Sequence, residues 1–277
     1  MHILVLDFMN AAHRARSGFQ AGEHSVIFNF FRQFKSLISE FEPTKVYVAL
    51  EGRPVKRHES LDTYKANRIV EKSDPKYIEL QKFFKQKDVI VELLKEYFPV
   101  SVVRHHASEA DDTIANLVRS SSVSDSWTIV SSDTDFIQLL QEHSNLRLYN
   151  PVRKEFVEAP VEYDYCTWKA LRGDSSDNIP GVPKCGDKTA AKIASDASLL
   201  KEFVMRPEVS SIFSRNYDLI RFTEWTEDER SQMTSSIPQK NWEFVKSSFD
   251  SMGFHSITKD DTWQKFVSSF NSLWGNQ

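Results

Sequence analysis

The chain has 277 residues, 35 Lys and Arg against 39 Asp and Glu, 40% hydrophobic residues and 27% charged ones. That suffices for one large α/β domain or two unequal ones and excludes disorder as the main state. No apolar run approaches the roughly 18 residues of a membrane span, and Ile3–Leu6 stops at Asp7, short of a signal peptide's roughly 7–15 apolar residues, so a cytoplasmic protein with no membrane role is expected. Cys166 and Cys185 make neither a disulfide framework nor a zinc site and fit a reducing compartment. The formal net charge of −4 argues at first sight against nucleic acid as a partner.

In chain order, residues 2–6 are apolar and β-rich, and residues 24–41 carry apolar side chains at 27, 30, 31, 34, 37, 38 and 41, a helical stripe. Residues 46–50 read as a strand, 75–98 as one or two helices and 100–103 as a strand. A helix over 109–119, a strand over 127–130, a short helix over 136–141 and a strand over 146–149 complete the first half. Strands alternating with helices imply a mostly parallel sheet covered on both faces. Beyond about residue 160 the strand signal fades, which predicts a core over 1–160 and a helical region over 161–277. Trp225, Trp242, Trp263 and Trp274 read there as packing residues, and 272–277 as either a docking tail or a packed terminus.

The predicted strands end in acids. Leu6 is followed by Asp7, Leu50 by Glu51, and Val130 by Ser131-Ser132-Asp133-Thr134-Asp135, while the strand ending at Val103 leads into Glu109, Asp111 and Asp112. In a parallel sheet these carboxyl ends lie along one edge, where open α/β sheets bind ligands. Any single acid of this group can serve as a helix cap. Together they form a self-repelling rim unless cations neutralise it. Oxygen ligands without cysteine favour Mg²⁺ or Mn²⁺ over zinc, and a pair of such ions suits phosphodiester hydrolysis. The adjacent His105 and His106 point in opposite directions on a strand end and make a poor ligand pair.

Residues 173–190 hold two acids three apart, Asp174 and Asp177, then a Gly/Pro-rich turn and a helix opening with Asp187-Lys188-Thr189. Glycines let a backbone approach a phosphate, a helix N-terminus offers free N–H groups, and Lys188 and Lys192 add charge. A helix, hairpin and helix of this kind, over about 173–195, can hold duplex DNA by its backbone.

At these residues the chain resembles the 5′-nuclease family: flap endonucleases, the 5′→3′ exonuclease domain of bacterial DNA polymerase I, and free-standing phage 5′-nucleases including the phage RNase H type. The resemblance covers about residues 1–200. It rests on Asp7, on Glu51 where the family usually has Asp, on Tyr64-Lys65-Ala66-Asn67-Arg68, on Glu109-Ala110-Asp111-Asp112, on Asp133-Thr134-Asp135 and on Gly173 to Ala190. It implies a PIN-like α/β core, a helical arch or clamp about 53–88, and a free-standing enzyme that hydrolyses phosphodiesters near the 5′ ends of flap, nicked or RNA-primed DNA in replication or repair. Two Mg²⁺ are implied, with Mn²⁺ as a substitute, one held by Asp7, Glu51, Glu109 and Asp111 with Asp112 nearby, the other by Asp133, Asp135, Asp177 and Asp174.

The resemblance further implies that Lys65 and Arg68, three apart on a predicted helix, grip the scissile phosphate, that Arg14 contacts phosphate and that His13 stacks on a base. Tyr64, Gly181, Lys184, Gly186, Lys188, Thr189 and Lys192 are expected to meet DNA, with a K⁺ ion at the hairpin. Lys184-Cys185 departs from the family's usual glycine-apolar pair and alters the expected turn. Expected partners are DNA with 5′ flaps or 5′ ends and RNA–DNA primers, with a single-stranded-DNA-binding protein or a replication polymerase as candidates, acting on a monomer in the cytoplasm or, if phage-encoded, in the host's. Two other readings stay open: a PIN-type ribonuclease, and a catalytically silent protein that binds DNA structures. With nine of the 39 acids assigned to ions, the remaining charges are basic in excess, which removes the objection raised by net charge.

Overall fold

The computed structural model describes residues 1–19 and 22–276. Its strands are β1 (His2–Asp7), β2 (Lys45–Leu50), β3 (Ser101–Arg104), β4 (Ser126–Val130), β5 (Leu146–Asn150), β6 (Glu155–Val157), β7 (Gly173–Asp174), β8 (Ile179–Pro180) and β9 (Thr234–Ser235). The main sheet has the order β6-β5-β4-β1-β2-β3-β9. Its five central strands are parallel, and antiparallel β6 and β9 close the edges. This is the expected mostly parallel α/β core.

Helices α1 (Phe8–Arg16), α2 (Ser25–Phe41), α3 (Val55–Ser60), α4 (Lys76–Tyr97), α5 (Ala110–Arg119) and α6 (Ile137–Glu142) alternate with these strands. Period-two alternation assigns the two sheet faces. Leu4 and Leu6 enter one core with Phe30, Phe31 and Phe34 of α2 and Ile90 and Leu94 of α4, whereas Ile3 and Val5 enter another with Ile114 of α5 and Phe136.

Beyond residue 160 the chain is mainly helical: α7 (Tyr165–Arg172), α8 (Asp187–Ala194), α9 (Ala197–Val204), α10 (Pro207–Ile220), α11 (Glu227–Ser231), α12 (Trp242–Ser251), α13 (His255–Thr258) and α14 (Asp260–Asn271). The C-terminal part does not stand apart, because Phe249, Trp263, Phe266, Phe270 and Leu273 pack into the core that holds Phe31, Phe34 and Phe98. Residues 160/161 therefore mark a change of composition and no break in packing. Trp225 and Trp263 are buried, as expected of packing residues. Of the segment 272–277, Leu273 is buried and Gln277 lies outside the described residues.

The expected helical arch is helical only in part. Between α3 and α4 the chain runs as turns with one 3₁₀ turn, Ala66–Arg68. Lys65 has φ 53°, in the left-handed region, so Lys65 and Arg68 do not share a helical face as the three-residue spacing predicted. Lys184 in the hairpin turn is likewise left-handed, φ 62°, a conformation that costs an L-residue roughly 1–2 kcal/mol. Lys184→Gly should therefore raise stability by about 0.5–1 kcal/mol once glycine's extra unfolded-state entropy is subtracted. Lys184→Ala should leave urea-unfolding midpoints unchanged, and equal midpoints for both variants would refute the strain.

Candidate active site at the sheet's carboxyl edge

Register explains why the acids meet. Leu6 pairs with Val48 and with Val130, so Asp7 sits level with Ala49 and next to the start of the Ser131–Asp135 segment. Glu51 lies two residues beyond Ala49 and, by alternation, on its face. Gly52 brings the fourth segment in: a Cβ there would lie 2.1 Å from the His105 carbonyl oxygen and 2.4 Å from that of Ser108. Only glycine admits the contact, in which the Gly52 N–H donates to Ser108 O at 3.0 Å and the Arg53 N–H to His106 O at 2.8 Å. Glu109 and Asp111 thereby reach the rim at the start of α5.

Local hydrogen bonds fix several carboxylates. Asp7 caps α1, accepting from the Asn10 N–H at 3.1 Å and from Ser131 Oγ at 2.9 Å. Glu51 Oε2 accepts from the Ala110 N–H at 3.1 Å, and Asp133 accepts from the Asp135 N–H at 2.9 Å. Capping and rim membership thus coexist in Asp7 and Asp133.

The rim divides into two electrostatic halves. In one, acids face acids. Burial, with the Asp133 charge adding to it, pushes Asp7 up to about 6. Burial and then Asp133, Asp7, Glu51 and Glu109 raise Asp111 well above the usual carboxylate range. Desolvation, then Glu109 and Asp7, push Glu51 up to about 7; the residue as a whole is exposed, so solvent screens part of that push.

In the other half, basic side chains stand between the acids. Lys169, 5% exposed, donates to Asp135 and lies 2.7 Å from Asp174 Oδ2. Despite their burial, Lys169 holds Asp174 down to about 2, while Asp135, which burial raises, stays near 6. Lys65 pairs with Glu109 and lies 3.6 Å from Asp177 Oδ2, and Arg68 pairs with Asp177. Among the described residues, no three Asp, Glu, His or Cys side chains are drawn together closely enough to hold an ion unaided. In this half the Lys65 and Lys169 ammonium groups and the Arg68 guanidinium neutralise the acids. The space left among Tyr64, Lys65, Glu109, Asp135, Asp174 and Asp177 is about 10 Å³, room for one water. A cleft of about 990 Å³ between α2 and α4 is lined by none of these acids.

The Tyr64–Arg68 segment docks on the acidic loop after α7. The Lys65 N–H donates to Asp177 O at 3.0 Å, Asn178 Nδ2 to Thr63 O at 2.9 Å, and Asn67 Nδ2 to Ser175 O at 3.2 Å. Two motifs far apart in sequence thus form one wall of the site. Tyr64 does not face solvent as expected for a DNA contact: it is 3% exposed, and its hydroxyl donates to Glu109 Oε2 at 2.9 Å. Asp112 also departs from expectation, because both its oxygens are engaged by buried Arg57 at 2.5 and 2.9 Å.

Other sequence-derived candidates lie further out. His13 stacks on Phe83 with centroids 4.9 Å apart, and Arg14 Nε donates to Gln33 at 2.9 Å. His105 is buried and stacked on Trp225, and His106 is exposed, so they form no ligand pair. Lys184, Gly186, Lys188, Thr189 and Lys192 are all exposed on the hairpin and α8, and Gly181 permits the hairpin's closure, since a Cβ there would lie 2.0 Å from Arg172 O.

Arg57 and Lys169 went unread in the sequence. Lys169 carried a usable signal: it sits on the buried stripe of α7 with Cys166 and Ala170, where a solvated lysine does not belong. Arg57 lies on a helix of six residues, too short for periodicity to report a face.

The raised carboxyls carry a pH consequence. A carboxyl raised in the folded state binds its proton more tightly there than when unfolded. The stability linked to it is full below about pH 4 and is lost as pH rises through the folded value. For Asp7, Asp135 and Glu51 that loss falls between about pH 4 and 7. In chelator, urea midpoints should fall from pH 5 to pH 8, and millimolar Mg²⁺ should flatten the slope. Midpoints that rise over that interval would contradict the mutual repulsion.

Comparison with known proteins agrees with this architecture. DNA polymerase I of Lactococcus lactis subsp. lactis (strain IL1403) is 33% identical over 196 residues, 65% of this chain and 20% of that protein. The chain spans about a fifth of the length of the curated relatives it matches. A bacteriophage T5 flap endonuclease, in a pseudo-enzyme–product complex with DNA and metal ions, superposes with a TM-score of 0.66 at 18% identity, covering 99% of both chains. The catalytic core of Rad2 in complex with DNA substrate gives 0.59 at 15% identity, over 96% of this chain and 92% of that one. These two likenesses concern the fold. The family pattern described as 5′-3′ exonuclease, N-terminal resolvase-like domain, matches residues 2–165. With more than half of its length matched by that pattern, the chain belongs to the 5′-3′ exonuclease family.

Proposed function

We propose that the protein is a divalent-metal-dependent 5′-nuclease that hydrolyses phosphodiesters near the 5′ ends of flap, nicked or RNA-primed DNA. The observation that carries this reading is the half-rim of Asp7, Glu51, Asp111 and Asp133, where burial and neighbouring acids raise Asp7, Glu51 and Asp111 and the charge of Lys65 offsets only part of the rise at Asp7 and Glu51. Such a donor set fits a hard divalent cation. Asp135, Asp174 and Asp177 would complete a second site once Lys169 and Arg68 turn to an incoming phosphate. When bound, Mg²⁺ or Mn²⁺ supplies a water of lowered pKa and a Lewis acid for the departing oxygen.

The chain's own groups do the rest. Lys65 and Arg68, released from Glu109 and Asp177, bind the non-bridging oxygens of the scissile phosphate and offset charge that grows in the transition state. Arg14 and the exposed hairpin residues Lys184, Lys188, Thr189 and Lys192 hold the backbone of the duplex, with a K⁺ ion as an additional bridge at the turn. Tyr64 keeps Glu109 in place from inside. The setting proposed is replication or repair in the cytoplasm, with the chain acting as a monomer. Among the described residues no helix is long and apolar enough to cross a membrane.

The test is cleavage of a 5′-labelled flap duplex in Mg²⁺ and in chelator, beside single-stranded RNA. Flap cleavage confined to Mg²⁺ is expected. Preference for single-stranded RNA would favour a PIN-type ribonuclease. Tight duplex binding in Ca²⁺ with no cleavage in Mg²⁺ or Mn²⁺ would make the protein a silent binder and sink the proposal.

A further inference from the structure

Arg57 is the most fully engaged basic residue of the site, yet it sits behind the rim. It is 7% exposed, and its five N–H groups are all used. Nε donates to Leu219 O at 2.9 Å, Nη1 to Glu109 Oε2 at 2.7 Å and to Asp112 Oδ2 at 2.5 Å, and Nη2 to Asp112 Oδ1 at 2.9 Å and Arg221 O at 3.3 Å. Asp112 is as fully occupied: besides Arg57, Oδ1 accepts from the Thr223 N–H at 2.8 Å and Oδ2 from the Glu109 N–H at 3.4 Å. A carboxylate offers about four lone-pair sites, and here each has a partner, so none is free for a cation. Three segments meet on this pair: α3, the first turn of α5, and the end of α10 with the stretch after it.

The pair also divides the two oxygens of Glu109. Oε2 is held inward by Arg57 and Tyr64, while Oε1 is left to Lys65 on the rim side. We propose that Arg57 and Asp112 form a buried positioning pair that aims Glu109 Oε1 at the rim and fixes the Tyr64–Lys65 turn beside it, so that Asp112 serves the reaction through Arg57 and ligates no ion. The bidentate fork matters: lysine has the charge but cannot span both Asp112 oxygens and Glu109. The inference rests on the nuclease reading above. The wild-type protein's cleavage and Mn²⁺ binding, measured first, test that reading separately.

The experiment compares Arg57→Lys, Arg57→Met, Asp112→Asn and the Arg57→Met/Asp112→Asn double variant. Each is measured for melting temperature, Mn²⁺ affinity and stoichiometry without DNA, flap-duplex affinity in Ca²⁺, and kcat and KM in Mg²⁺. Groups that orient metal-binding carboxylates are worth about 10- to 100-fold in affinity or rate. Arg57→Met and Asp112→Asn should each weaken Mn²⁺ binding and lower kcat by about that factor. Stoichiometry and KM should hold, and the double variant should be no worse than the poorer single one. Arg57→Lys should fall between and stay folded if Arg57→Met does not. Loss of one Mn²⁺ equivalent in Asp112→Asn but not in the Arg57 variants would overturn the proposal by making Asp112 a ligand. Lower melting temperatures with unchanged Mn²⁺ affinity and kcat would overturn it by making the pair a tie between segments and nothing more.

Discussion

Asp111→Asn should abolish cleavage, by about 10³-fold or more, while raising the melting temperature of the metal-free protein. The two effects have one source. Asp111 lies where Asp133, Asp7, Glu51 and Glu109 all act on it, and burial removes the water that would screen them. Without a cation, its folded-state carboxyl binds its proton far more tightly than the unfolded chain does, and at neutral pH that difference is a cost of folding. Asparagine has the same shape and no such cost. Against this gain stands the loss of a negative group in the first turn of α5, worth about 0.3–1 kcal/mol.

Four raising acids outweigh one helix-end interaction, so a net rise in melting temperature is expected in chelator. In Mg²⁺ the order reverses. The wild type gains stability by binding the ion, as any ligand of the native state stabilises it, and the variant gains little. Paired melting curves with chelator and with Mg²⁺ check both halves. A variant that melts lower in chelator and still gains in Mg²⁺ would show that Asp111 neither suffers repulsion nor holds a cation.

What could be read from sequence follows from how far each signal reaches. The parallel core was legible because strands over 2–6, 46–50, 100–103, 127–130 and 146–149 are short apolar runs, those ending at Leu6 and Leu50 directly before an acid and that ending at Val130 shortly before Asp133, and the carboxyl ends of parallel strands share an edge. The opposite edges were not. β6 makes three pairings and β9 two, too few residues to carry alternation. Helix α1, nine residues with a half-polar sequence directly after Asp7, has too short a stripe to stand out.

The acids of the rim were legible as a set, but their division into an acid-facing half and a lysine-filled half was not. That division depends on which basic side chains fold inward. Lys65 and Arg68 arrive by way of a left-handed turn that no helical spacing predicts, and Arg57 and Lys169 arrive from helices of six and eight residues. Spacing reports neighbours on one element, and these contacts join different elements.

The second large effect belongs to Lys169, which acts as a built-in cation. Its ammonium, buried among Asp135, Asp174 and the Tyr165 ring, is held protonated by those carboxylates despite the desolvation that opposes it. Lys169→Met keeps the volume and removes the charge, leaving two buried carboxylates facing each other. Deleting one partner of a buried ion pair costs roughly 3–5 kcal/mol, far more than an exposed pair such as Arg206 with Glu202, worth about 0–1 kcal/mol. The metal-free variant should therefore lose that much stability at pH 8.

The loss should shrink at pH 5, because Asp174, now held near 2 by Lys169, would titrate upward once the lysine is gone. A folded carboxyl raised in this way returns stability as pH falls. Mg²⁺ should restore part of the loss at pH 8, since an ion held by the same two carboxylates would displace no ammonium. It should also stabilise the variant at lower Mg²⁺ concentration than the wild type. Urea midpoints at pH 5 and 8, each across an Mg²⁺ series, separate these effects. A loss under about 1 kcal/mol at pH 8 with no response to Mg²⁺ would mean that water replaces the ammonium, so that the Asp135 and Asp174 charges are solvated and the pair was never buried.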